Sequence, residues 1–229
     1  YHIVQSKEDL DLLVDRISKT SEFSFDLETT GLDPLQSEIV GIAISIEPGE
    51  AYYMPTGHKG QDKQHDLPYL IDKLRPLFED TSIGKIAHNA KFDMLSLRMA
   101  NLTVSGLEFD TMVAAHLIGN AGNNIRPGET GLGLKWLALN RLGIEMTEIS
   151  DLIGKGRNKI SMSDVSIESV GRYACADADI TKRLRVVLEK ELKEHGMWQL
   201  FSKVELPLVS VLTQMEMNGV SINTVACIS

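Results

Sequence analysis

Cysteine is almost absent: Cys175 and Cys227 are the only two in 229 residues, far apart and in no metal-ligand spacing. That excludes a disulfide scaffold and a zinc ribbon and makes a reducing, cytoplasmic setting the expectation. Long apolar runs are missing too. No stretch approaches the roughly eighteen uncharged apolar residues of a membrane span, and no signal peptide opens the chain, so no membrane partner is expected. Basic residues are few for the acids present: 23 Lys and Arg face 32 Asp and Glu, a formal net charge of -9. Such a balance argues against a protein that holds nucleic acid mainly by neutralising phosphates, and leaves room for one whose carboxylates hold cations. There is no phosphate-binding G-x-x-x-x-G-K-S/T loop, no G-x-S-x-G elbow and no dinucleotide fingerprint. The six histidines do not cluster, and no internal repeat or low-complexity segment occurs. What is present is globular in composition, 43% hydrophobic and 24% charged. The chain opens on Tyr1 without an initiator methionine, so a piece of a longer protein is expected.

Three strand signals come early. Phe23 to Leu27 alternates large apolar and other residues; Glu38 to Ile46 and Ala51 to Met54 follow, separated by a Pro48-Gly49 turn. Short loops between them predict an antiparallel meander. A helical pattern runs from Asp66 to about Glu79. Gly84 to His88 is a short strand, with Asn89 as the expected N-cap of a helix reaching about Ala100. Leu107 to Phe109 is a brief strand, and Asp110-Thr111 opens another helix, with Asp110 read as an N-cap. The remainder is mostly helical: Leu132 to Leu142, Val165 to about Glu194 with a break expected near Gly171, and Glu205 to Met217, stopped by Asn218-Gly219. The fold class is therefore α/β, a mixed β-sheet flanked by helices.

Asp26 and Glu28, two apart at the end of a strand, stand on one face. Like charges that close are relieved most readily by a cation, although a solvated strand end has the same pattern. Asp93 falls in the first turn or so of a helix, where a carboxylate also suits the helix dipole. Tyr173 and Asp177, four apart in a helical stretch, share a face lined by the small residues Ala174 and Cys175. Asp179 points elsewhere and is read as solvated surface or a local cap. The run from Gly154 to Lys159 reads either as a solvated loop or as a phosphate contact. An all-oxygen donor set of this kind suits hard cations such as Mg2+ or Mn2+.

Asp26-Leu27-Glu28-Thr29-Thr30-Gly31-Leu32, His88-Asn89-Ala90-Lys91-Phe92-Asp93 and Tyr173-Ala174-Cys175-Ala176-Asp177 resemble, in order, the three exonuclease motifs of the DEDD superfamily. The tyrosine four before the last aspartate marks its DEDDy branch. Phe109 to Met112, Gly154 to Gly156, Glu205 to Val209 and Met215 to Val220 extend the resemblance to the proofreading domain of bacterial family A DNA polymerases, from roughly Ser21 to Asn223. The resemblance implies an RNase H-like exonuclease fold and two divalent ions, Mg2+ or Mn2+. Asp26 would bridge the ions, Glu28 and Asp177 would hold the one that activates water, and Asp93 the other. Tyr173 would orient the water or the scissile phosphate. Thr29, Leu32, His88 and Asn89 would surround the terminal nucleotide, Leu32 as a wedge. It further implies a single-stranded or frayed DNA 3' end as substrate, nucleoside 5'-monophosphates as products, and a monomer working at the nucleoid. Residues 1–202 would be the exonuclease domain, and 203–229 the entry helix of a polymerase domain. The alternatives are a stand-alone DEDDy ribonuclease resembling ribonuclease D, and an inactive domain that only supports a polymerase.

Overall fold

The computed structural model describes residues 1–60, 63–119 and 131–221. Cys227 and the last eight residues of the tail lie outside them. In chain order the elements are β1 (His2–Ile3), α1 (Lys7–Ile17), β2 (Glu22–Thr29), β3 (Ile39–Glu47), β4 (Glu50–Pro55), α2 (Leu67–Phe78), β5 (Gly84–Ala87), α3 (Ala90–Met99), β6 (Leu107–Asp110), α4 (Thr111–Ile118), α5 (Leu134–Leu137), α6 (Ile149–Ile153), α7 (Ile167–Glu194), α8 (Trp198–Leu200) and α9 (Leu206–Asn218). The sheet has six strands in the order β1-β4-β3-β2-β5-β6. As expected, β2, β3 and β4 form an antiparallel meander, while β5 and β6 continue the sheet parallel to β2.

The alternation in β2 divides the molecule into layers. Phe23, Phe25 and Leu27 face a core shared with α1, α2 and α3, where Phe78 packs edge-on to both phenyl rings at 5.2 and 5.1 Å. The odd-numbered face is thus apolar, and Ser24, Asp26 and Glu28 look the other way. That second face is covered by α7, and the Ser24 hydroxyl donates to the Ala178 carbonyl at 2.7 Å. Small residues on α7 (Gly171, Ala174, Cys175, Ala178) let a 28-residue helix lie close over β2, β3 and β4.

Several expectations need correction. No break occurs at Gly171; α7 runs through it. A Cβ there would sit 3.1 Å from Ile3 Cγ1 and 3.2 Å from Tyr53 Cδ1, so the glycine serves close packing and not a kink. Helix α5 continues as a π turn, Ala138–Leu142, before Gly143 closes it in the left-handed region at φ 68°. Asn89 occupies the N-cap position of α3, but its φ of 64° is left-handed and its side chain caps nothing. The caps come instead from Asp110, whose carboxylate accepts from the N–H groups of Asn89, Ala90, Met112 and Val113 and so serves α3 and α4 together. The strand β1 and helix α1 were not anticipated, though Ser6 capping Asp9 and the buried Leu10, Leu13 and Ile17 are ordinary helix signals. Among the described residues no helix is long and apolar enough to cross a membrane.

Candidate active site

Strands β2 and β5 are parallel neighbours, so their carboxyl ends open on the same edge of the sheet, where open α/β sheets place their ligands. Asp26 and Glu28 arrive there on the last turn of the β2 pleat. A bulge after Glu28 (Glu28 opposite Gly41, Thr29 opposite Ile39) ends the regular ladder. Gly41 is required opposite Glu28, because a Cβ there would overlap the Tyr53 ring and hydroxyl. Tyr53 is fixed in turn by His58, whose Nε2 lies 2.8 Å from the hydroxyl. From the opposite layer α7 brings Asp177. One carboxylate oxygen from each of Asp26, Glu28 and Asp177 lies within 4.8 Å of the others, the one such group among the described residues. Tyr173 stands one helical turn earlier on α7, and burial, then the Asp177 charge, raises its hydroxyl above its ordinary value.

Asp93 completes the acidic lining from α3. It is buried and lies near enough to Asp26 for that charge to raise it, but it does not share the close group of the other three. Burial raises Asp26, Glu28 and Asp93 well above the usual carboxylate range, and neighbouring carboxylates raise them further: Asp177 for Asp26, Asp26 and Asp177 for Glu28, Asp26 and Asp110 for Asp93. Asp177 is raised by burial and pulled back by Lys135. The Lys135 Nζ lies 2.9 Å from each Asp177 oxygen and 4.3 Å from the centroid of the Tyr173 ring. Sequence reasoning missed this lysine. Its one signal is being the lone charge between Glu129 and Arg141 in a run of leucines and a tryptophan.

The four nucleotide-facing candidates fall at the same edge. Thr29 ends β2 and donates to the Gly31 carbonyl, and Leu32 stands 85% exposed in the turn that follows. His88 follows β5, with Nδ1 2.9 Å from the Thr111 hydroxyl; burial, and then the charge of Lys135, lowers it to about 4. The imidazole is therefore neutral at neutral pH. Asn89 is held by its left-handed backbone between His88 and α3. Asp179 is a correction. It is 1% exposed, and accepts from the Tyr1 hydroxyl, the Gly49 N–H and the Arg183 guanidinium at 2.7–2.9 Å. Burial raises it, but those donors outweigh burial and hold it below its ordinary value. Gly156–Asn158 forms a 3-10 turn within the basic loop.

A family model described as 3'-5' exonuclease matches residues 1–193. The chain belongs to the 3'-5' exonuclease family. Over 214 residues it is 41% identical to the DNA polymerase I of Chloroflexus aurantiacus, covering 92% of this chain and 22% of that protein. It spans 22–24% of the length of three such DNA polymerase I relatives, so it corresponds to the exonuclease portion of much longer proteins. Its fold superposes on the Pol1 polymerase structure of M. smegmatis, solved with DNA primer-template and dNTP, with a TM-score of 0.72 and 22% identity, over 97% of this chain and 33% of that one. Escherichia coli RNase D, an exoribonuclease, superposes with a TM-score of 0.69 over 94% of this exonuclease chain and 51% of its own, at 15% identity. The ribonuclease likeness is thus one of fold, whereas the sequence relatives are polymerases, and the ribonuclease D alternative is not favoured.

Proposed function

We propose that this domain removes nucleotides one at a time from the 3' end of single-stranded or frayed DNA, as the proofreading module of a DNA polymerase. The observation that carries the reading is the convergence of Asp26, Glu28 and Asp177 oxygens within 4.8 Å of one another, with Tyr173 one helical turn before Asp177 on α7. Buried carboxylates raised by burial and by one another are costly as a structural device and suited to holding cations. The donor set is all oxygen and fits Mg2+ or Mn2+. Asp26, Glu28 and Asp177 would hold one ion, and Asp26 with Asp93 a second. Bound there, two such ions would supply Lewis acidity to the scissile phosphate and a water acidic enough to attack at neutral pH.

The chain's own residues do the rest. Tyr173 orients the nucleophile through its hydroxyl, whose proton burial and then the Asp177 charge help to retain. Neutral His88, Asn89 and Thr29 bind and orient the terminal nucleotide. Exposed Leu32 wedges between bases, which favours an end already unpaired. The products are nucleoside 5'-monophosphates. The boundary near residue 202, with 203–229 leading into a polymerase domain, is part of the same proposal. It is supported by the half-exposed Leu208, Val211, Leu212 and Met215 of α9, an apolar surface a following domain would cover. A monomer in the cytoplasm, working at the nucleoid, goes with this reading.

The test is incubation with a 5'-labelled single strand, with Mg2+ and with chelator. A ladder shortening from the 3' end only with Mg2+ is expected; internal cuts, or shortening that ignores the chelator, would overturn the reading. Matched DNA and RNA strands then decide the sugar preference.

A further inference from the structure

We propose that Lys135 is a positioning residue that competes with a divalent ion for Asp177, so that the ammonium must leave that carboxylate before the ion can be held by it. The inference rests on the metal reading above. Its starting point is geometric. The Lys135 ammonium lies 2.9 Å from both Asp177 oxygens, which commits both to one cation, and one of those oxygens belongs to the close group with Asp26 and Glu28. An ammonium carries only donors and cannot itself join a cation's ligand set. Two cations on one carboxylate repel strongly in a site this buried, where Lys135 and Asp177 side chains are 19% and 11% exposed.

The contact differs from the molecule's other ion pairs in what surrounds it. Lys182 with Glu22, and Arg185 with Glu22, Glu108 and Glu189, are similarly sheltered, but among the described residues only Asp177 of the paired acids belongs to a close carboxylate group, and several of the remaining pairs lie on the surface. The Lys135 ammonium, by contrast, sits on a carboxylate that itself belongs to the close group with Asp26 and Glu28. Its route of departure is also marked. The ammonium already stands over the Tyr173 ring at 4.3 Å, a cation–π contact that survives loss of Asp177, and the four-carbon stem allows the swing. Lys135 therefore stabilises the cluster while no ion is bound and weakens ion binding by the same interaction.

The experiment is Mn2+ titration of the whole 229-residue chain without DNA, read by the electron paramagnetic resonance of free Mn2+, for wild type, Lys135→Met, Lys135→Arg and Asp26→Ala. A cation a few ångströms from a carboxylate changes its affinity for a proton by about one to three pKa units, and a similar scale applies here. Lys135→Met should bind Mn2+ about tenfold tighter or more, and Lys135→Arg within about threefold of wild type. Equal or weaker binding by Lys135→Met overturns the inference, because a merely structural lysine would not tighten a metal site when removed. Wild type and Asp26→Ala binding alike would instead show that the metal reading itself has failed. Should Lys135→Met not fold, the side-chain NMR signals of Lys135 in the wild-type chain decide the matter. They should shift on Mg2+ addition, and unchanged signals with Mg2+ bound overturn the competition.

Discussion

At the scale of single residues, the site separates groups that touch the chemistry from groups of similar type that do not. Asp26 would help hold both proposed ions, so Asp26→Ala should lower the exonuclease rate by at least ~10³. Tyr173→Phe keeps every carboxylate and loses one orienting hydroxyl, so it should cost on the order of 10²-fold or less and remain measurable. Rates on one single-stranded substrate at saturating Mg2+ check both; a Tyr173→Phe as dead as Asp26→Ala would mean the hydroxyl does more than orient. Asp179 is the contrasting case. From the sequence it reads as a surface acid, because the D-x-D spacing gives no hint that its partners are Tyr1, Gly49 and Arg183, the first two distant in the chain. Asp179→Asn keeps an acceptor for Gly49 and loses the charge facing Arg183. It should change the rate by less than about threefold while lowering stability on the order of 1–3 kcal/mol, read by denaturant titration. Lys135 escaped for the same reason: its meaning lies in what α7 brings to it, not in its neighbours along the chain.

Elements were legible where local pattern and tertiary demand agree. The meander, the strand before Asn89, the Asp66-capped helix and the last helix all have alternation or helical spacing with a cap or turn residue at the boundary. The errors fall where packing overrides a local signal. Gly171 reads as a helix breaker, but here it is the thin spot through which α7 touches Ile3 and Tyr53. Asn89 reads as a cap because Asn commonly is one; the left-handed backbone turns its side chain away from that task. Asp110 takes over, and this makes a prediction at the scale of elements. One N-cap is worth about 1 kcal/mol and up to about 2, and this carboxylate serves the first turns of two helices. Asp110→Ala should therefore cost roughly 2–3 kcal/mol in denaturant titration, more than one ordinary cap. It should also reduce activity in the folded fraction, because α3 carries Asp93 and its junction carries His88 and Asn89. A loss of stability with full activity per folded molecule would show that α3 holds its position without the clamp.

For the whole molecule, the acidic cluster sets how stability responds to pH and to metal. Asp26, Glu28 and Asp93 have folded-state pKa values raised well above the usual carboxylate range, first by burial and then by neighbouring carboxylates. In the unfolded chain they return to about 4. Between that value and neutrality the native state therefore binds more protons than the unfolded one, and stability contributed by these groups falls as pH rises through the window. Asp179, whose folded value is lowered, works in the opposite direction and loses its contribution as pH falls, so the cluster is best isolated by difference. In chelator, Asp26→Asn should melt higher than wild type at pH 8, and the advantage should shrink toward pH 4, where the wild-type acids are protonated in the native state and about half-protonated in the unfolded one. A gain of about 1 kcal/mol would appear as roughly 2–4 °C in a chain of this size. Excess Mn2+ or Mg2+ should reverse the order, because an ion that binds only the native state stabilises it by mass action, and Asp26→Asn weakens its holder. Melting curves of both proteins across pH 4–8, with chelator and with excess metal, check the sign twice. If Asp26→Asn melts lower than wild type at pH 8 in chelator, the cluster is not strained by its own charge. An equal metal response in the two proteins would place the ions elsewhere on the surface.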